Sequence, residues 1–279
     1  MGHQTAAGAH SLLPLHSWRG SIWRYAAPLA QACAGEEVTL AGLHVRVPGP
    51  LAIRLSVVAG NIRIQRLMDE LLRPGATVVD VGANIGYNTV YAACRVGPQG
   101  RVVAVEPAQD NLAALYANVF ANNLRNVTVL PCAAGRSHGV HEFYLRGSVS
   151  AVNSLFPDSF YAPVTGTVQV PVGPLDDLVA AEPDLVKIDV EGAELDVLAG
   201  MPRILAAPRT RLIVEWHPVL QQAAGYAADA LPRLLLAHGF VLHAASHTQV
   251  RQLEAGAIAG MLPRLMRARR PVELVATRG

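Results

Sequence analysis

From about residue 77 onward, short β-branched runs alternate with segments of helical period, the pattern of an α/β protein. Thr77-Val78-Val79-Asp80-Val81-Gly82 is an apolar run ending in glycine. The Asn84-Ile85-Gly86-Tyr87 that follows leads into a helical pattern through about Arg95, so the segment reads as strand, tight loop and helix. Pro98-Gln99-Gly100 makes a turn, residues 101–106 form a second Val-rich strand, and Pro107 with Asp110 opens a helix to about Asn123. Residues 126–130 predict a third strand and 139–146 a further one. The stretch 147–174 carries Gly, Pro, Ser and Val without period, and a connection of that length predicts a lid. Alternation returns with strands at 184–190, 211–215, 239–243 and 272–276 and helices at about 192–200 and 227–238. Residues 1–60 show no such unit. They are assigned to a cap or oligomerisation extension, with a homodimer as its expected product, and 61–279 to the main domain.

Composition narrows the class. The 279 residues are 51% hydrophobic and 16% charged, enough to bury a substantial core. Lys and Arg number 23 against 21 Asp and Glu, a net charge of +2 that gives no phosphate-tracking surface, so nucleic acid is not an expected partner. Cys33, Cys94 and Cys132 are far apart and form no CxxC pair, which suggests neither a disulfide framework nor a zinc site. No uncharged apolar stretch reaches ~18 residues and no basic leader precedes the N-terminal apolar residues. No membrane partner and a cytoplasmic setting are therefore expected.

The first strand-to-helix turn carries the ligand signal. Glycines there allow positive φ and close approach to a helix N-terminus. The spacing Gly82-Ala83-Asn84-Ile85-Gly86 departs from the GxGxxG of a pyrophosphate-binding nicotinamide site, which counts against a dehydrogenase. Glu106 ends the second strand, 26 positions after Asp80, where a carboxylate can accept two hydrogen bonds from a ribose diol. A ribose-bearing ligand follows. Asp80 adds a carboxylate that suits the ammonium and sulfonium charges of S-adenosylmethionine, charges that a dinucleotide lacks.

Five segments, VVDVGANIGYNT (78–89), VVAVEP (102–107), NVTVLPCAAG (126–135), DLVKIDVEGAELDVLAGM (184–201) and LIVEWHP (212–218), together resemble, in order, the motifs of the FkbM family of S-adenosylmethionine-dependent O-methyltransferases. The resemblance implies a class I methyltransferase fold: a Rossmann-like, seven-stranded, mostly parallel sheet with one reversed strand and helices on both faces. It places Asp80, Gly82 and Asn84 around the methionine part of the cofactor, Glu106 on its ribose and Cys132-Ala133-Ala134 near its adenine. Gly86, Tyr87 and Pro107, in the same loop and strand-end segments, complete the expected cofactor set, Tyr87 by packing. The acceptor implied is a small-molecule hydroxyl on a sugar, cyclitol or polyketide-like natural product.

Ligands of open α/β sheets bind beyond the carboxyl ends of the strands, where Asp189, Glu191, Glu215 and His217 fall. Methyl transfer to oxygen needs the acceptor ~3 Å from the methyl carbon and in line, with its proton removed. His217, with an ordinary pKa of ~6.5, is the expected base, assisted by Asp189. Asp189 or Glu191 qualifies only if burial or a like charge raises its pKa. Mg²⁺ is the rival, since three carboxylates offer hard oxygen ligands. Asp189 counts at both the cofactor and the catalytic end. Glu194 reads as a solvated carboxylate at a helix start, and Lys187 as an inward cation pairing with Asp189 or Glu215. A nicotinamide-dependent oxidoreductase and a catalytically silent nucleoside-binding protein remain as alternatives.

Overall fold

The computed structural model describes residues 37–40, 43–48, 51–146, 152–158, 162–245 and 250–278. Residues 1–36, most of the expected N-terminal cap, lie outside the described residues. The described part of that extension is a hairpin, β1 (Glu37–Leu40) and β2 (Leu43–Arg46), followed by helix α1 (Leu51–Leu71). The boundary expected at residue 60 thus falls inside a helix. Val38, Val45 and Val47 of the hairpin region pack on Ile85, Tyr87 and Val90, so the extension covers the glycine loop. Asn118 clips it in place by accepting from Arg46 N at 2.7 Å and donating to Ile85 O at 2.7 Å.

The main sheet follows from the apolar runs. β3 (Thr77–Val81), β4 (Arg101–Val105), β5 (Val127–Leu130), β9 (Leu185–Ile188) and β10 (Arg211–Trp216) are parallel, joined by helices such as α2 (Tyr87–Val96) and α3 (Gln109–Ala121). β11 (Val241–Ala245), β12 (Val250–Gln252) and β13 (Val272–Thr277) complete it in the order β12-β11-β13-β10-β9-β3-β4-β5. β13 runs antiparallel to both β10 and β11. This is the arrangement that the resemblance implies, with a short eighth strand, β12, added at the edge. The helix Ala255–Ala268 before β13 was hidden in sequence by Gly256, Gly260 and Pro263.

Period-2 alternation sorts the strand residues between two faces. Val79, Val81, Val186, Ile188, Leu212 and Val214 join one core, while Val78, Leu185, Ile213 and Val275 join another built on α1 and α2. Near the carboxyl ends of the strands, the second face turns from apolar to charged. Asp80 stands opposite Lys187 in the register, and Glu215 opposite Glu273.

The segment predicted to be a structureless lid is partly a sheet. β7 (Gly139–Leu145) pairs antiparallel with β8 (Gly166–Gly173), and β6 (Ala133–Ala134) pairs with β8. Between β7 and β8, residues 152–158 form a strap. Arg146, 2% exposed, donates to the carbonyls of Val152, Phe156 and Pro157, and Ser154 pairs back to Tyr144. Among the described residues, no helix is long and apolar enough to cross a membrane.

Candidate active site

The loop after β3 is shaped by its neighbours. Gly82 lies at φ +75°, and a Cβ there would stand 1.9 Å from the carbonyl oxygen of Asp189. The glycine therefore lets the first-strand loop abut the segment after β9. Asn84, at φ 51°, follows in the left-handed region that Asn tolerates. Its amide donates to Glu106 Oε2 at 2.8 Å, while Glu106 Oε1 accepts from Ala108 N at 2.9 Å and from Asn111 Nδ2 at 3.0 Å. Burial pushes the Glu106 pKa up, and those three donors pull the other way.

Beyond the strand ends lies a cavity of about 290 Å³. The glycine loop, Tyr87, Glu106 and Pro107 form one side, and Ala133, Ala134 and Phe143 another. Asp189, Glu191, Glu215 and Glu273 bring carboxylates to its wall, α1 contributes Asn61 and Arg63, and the strap adds Asn153 and Leu155.

Lys187 organises the charges. Its ammonium, 4% exposed, stands 3.3 Å from Asp80 Oδ1 and 3.3 Å from Asp189 Oδ2, and donates to Gly82 O at 3.2 Å. Burial alone would lower its pKa, but Asp189, Asp80 and Glu273 outweigh that and raise it. The sequence expectation of an inward cation holds, with Asp80 as the partner not anticipated.

One oxygen each of Asp189, Glu191 and Glu215 lies within 4.8 Å of the others. Burial first, then the neighbouring carboxylates, drive the pKa values of Glu191 and Glu215 well above the carboxylate range. Glu191 is itself unusual, with φ 54° for a residue that is neither Gly nor Asn. Three hydrogen bonds hold the turn: Val190 N and Gly192 N donate to Glu194 Oε1, and Ser154 Oγ donates to the Glu191 carbonyl at 2.8 Å. Glu191 Oε2 is buried without a hydrogen-bond partner among the described residues.

Several expected site residues are not on the cavity wall. Asp80, 0% exposed, lies beneath the loop, its Oδ2 accepting from the Thr89 hydroxyl at 2.6 Å and its Oδ1 ion-paired with Lys187 at 3.3 Å, so it supports the glycine loop. Gly86 faces α3, where a Cβ would meet Leu115 Cδ1 at 2.3 Å. Cys132 packs against the core, leaving Ala133 and Ala134 to line the cavity. His217, the expected base, also stands apart from the cavity lining. It is 1% exposed, off the cavity wall, and caps the helix Pro218–Ala223, where its Nδ1 accepts from Leu220 N at 3.4 Å. Burial lowers its pKa, which suits a neutral capping imidazole. Glu194 is likewise buried, at 1% exposure, instead of solvated.

Sequence reading missed Asn61, Arg63, Asn88, Asn111 and Glu273. Asn88 sits one residue beyond the expected loop set, Asn111 lies in the first turn of α3, and the others arrive from distant elements.

The sequence model of the family described as "Methyltransferase FkbM domain" matches residues 80–242. Methyltransferase 1 of Beauveria bassiana is 31% identical over 144 residues, covering 44% of this chain and 57% of that protein. The hexuronic acid methyltransferase AglP of Haloferax volcanii is 30% identical over 168 residues, covering 59% of this chain and 65% of that protein. The 31-O-demethyl-FK506 methyltransferase FkbM of Streptomyces tacrolimicus is 31% identical over 225 residues, covering 68% and 84%. The chain thus spans less than two thirds of the first two relatives and most of the third.

Proposed function

Because the chain belongs to the FkbM methyltransferase family, we propose that it transfers the methyl group of S-adenosylmethionine to a hydroxyl of a small molecule, a sugar, cyclitol or polyketide-like natural product. The observation that carries this reading is the cavity at the carboxyl ends of the parallel strands, with a glycine loop and strand-end Glu106 at one side and a carboxyl cluster at the other. Relatives named for a hexuronic acid and for 31-O-demethyl-FK506 support a hydroxylated small-molecule acceptor.

The residues fit the cofactor at two points. Asn84 Oδ1 is buried on the cavity side of the loop with no hydrogen bond among the described residues. Glu106 Oε2 accepts from Asn84 N and keeps a second lone pair for a ribose hydroxyl, a donation that favours its charged form. When bound, the cofactor supplies a methyl group already activated on a sulfonium.

This chain's own residues supply the rest. Glu191 takes the acceptor's proton at Oε2, the buried oxygen that has no hydrogen-bond partner among the described residues. Its raised pKa makes it the stronger base once ionised. Glu215 shares the proton within the coupled pair, and Asp189, ion-paired with Lys187, fixes the floor. The strap residues Asn153 and Leu155 narrow the opening and limit water.

Deuteromethyl-labelled S-adenosylmethionine offered with a panel of glycosides, cyclitols and hydroxylated macrolides tests this by mass spectrometry. Label should appear on an acceptor oxygen with the wild type and vanish with Glu191→Gln. Stabilisation by S-adenosylhomocysteine with no transfer to any acceptor would instead favour a silent nucleoside-binding protein, and stabilisation by NAD an oxidoreductase.

The spacing of Asp189, Glu191 and Glu215 favours one second reading, a shared Mg²⁺. The donor type fits, but Lys187 and the protons held by the raised carboxyls already offset the charge. Undiminished transfer in EDTA is expected. Loss restored by Mg²⁺ would move the acidifying role from Glu191 to the cation.

A further inference from the structure

The cavity wall is acidic, yet the methionine part of the proposed cofactor carries a carboxylate as well as an ammonium. Glu106, Asp189, Glu191, Glu215 and Glu273 face the space, and the cations among the described lining residues are Lys187 and Arg63. Lys187 stands 3.3 Å from Asp80 and 3.3 Å from Asp189 and donates to the Gly82 carbonyl, so its charge is already paired on two sides. Arg63 differs. Its side chain is 13% exposed and its Nη2 donates to Glu273 Oε1 at 2.9 Å, while its Nε is buried with no hydrogen bond among the described residues. A guanidinium presents five N–H donors in a rigid fork matched to a carboxylate, so one ion pair does not exhaust it. The Glu273 contact holds that fork in place before any ligand arrives. Gly60, Asn61 and Ile64 of α1 line the same cavity as Gly82 and Asn84, which sets Arg63 among the residues around the loop end.

We propose that Arg63 is the anchor for the α-carboxylate of the cofactor's methionine part. The inference rests on the cofactor reading above. Without Arg63, a carboxylate entering this space meets acidic groups and a lysine already ion-paired with two carboxylates.

Calorimetric titration of the full chain with S-adenosylhomocysteine and with its decarboxylated analogue separates the possibilities. Arg63→Gln is expected to weaken S-adenosylhomocysteine by about tenfold to a hundredfold, the effect of losing a charge-assisted hydrogen bond. It should leave the decarboxylated analogue within about threefold, because the group that Arg63 recognises is missing from that ligand. Arg63→Lys, which keeps the charge without the fork, should recover part of the preference for the carboxylate. Equal losses on both ligands, or no loss on S-adenosylhomocysteine, would overturn the anchor. If Arg63→Gln fails to fold by circular dichroism, Arg63→Lys decides alone, through a selective loss of roughly threefold or more on S-adenosylhomocysteine. A wild-type protein that binds neither ligand overturns the cofactor reading and the anchor together, whereas one that binds S-adenosylhomocysteine no better than its analogue overturns the anchor only.

Discussion

Lys187→Met tests whether the buried charges under the glycine loop hold the site together. The methionine keeps most of the aliphatic stem but removes the cation between Asp80 and Asp189, at 3.3 Å from each, and the donor to Gly82 O. Asp80, 0% exposed, keeps the hydrogen bond from the Thr89 hydroxyl but loses its cation. Breaking a buried pair by removing one partner costs ~3–5 kcal/mol, because the other charge stays unsolvated. At ~2–4 °C per kcal/mol for a domain of this size, the loss in Tm is roughly 6–20 °C. The Lys187 pKa is raised in the folded state, so its contribution is fully present below the unfolded value of ~10.4 and is lost only as pH climbs past that. The difference between variant and wild type should therefore be fully present at pH 7 and up to about pH 10, and fall only above that. Urea unfolding across that range measures it. A variant within ~1 kcal/mol of wild type at pH 7 would refute the idea that Lys187 compensates buried charge.

Three further outcomes are expected. His217→Ala should retain turnover and lose ~1 kcal/mol of stability, the value of a helix N-cap, and a collapse of methyl transfer with the fold intact would restore His217 as the base. Glu191→Gln should lower kcat by about 10²- to 10⁴-fold, and the wild-type rate should climb with pH as the raised carboxyl ionises; a pH-independent rate would contradict the assignment. Glu194 has its pKa raised to about 7 by burial, so the folded chain holds a proton that the unfolded chain releases near ~4.3. Stability from this group is present at low pH and lost as pH rises through about 7, so Glu194→Gln, which keeps an acceptor for Val190 N and Gly192 N, should stabilise by on the order of 2–4 kcal/mol at pH 8 and by little near pH 5. A gain that does not vary with pH would sink that account.

The βαβ frame was legible because each strand and helix announces itself locally, by Val runs at period 2 and by glycine at the turns. β8 was not, since Pro171 and flanking glycines mask its alternation and its partner β7 lies across an irregular connection. The carboxyls of the site were found at the strand ends, where topology alone puts them. Their burial and their pairing with Lys187 and one another were not. His217 looked like a base by intrinsic pKa, yet it directly precedes Pro218, and proline at the first helical position was the available sign of a cap. Glu194 was assigned to solvent by its place at a helix start, whereas it folds back on its own preceding turn. Arg63 and Glu273 stand 210 positions apart, and nothing periodic in either segment announces their meeting.

The contact of Gly82 with the Asp189 carbonyl gives the two halves of the cavity a common partition with no thickness to spare. Any side chain at position 82 would have to push the loop after β3 and the segment after β9 apart together. Redesign toward a new acceptor has no freedom at that seam, and must work through the outer margins, the strap between β7 and β8 and the inward face of α1.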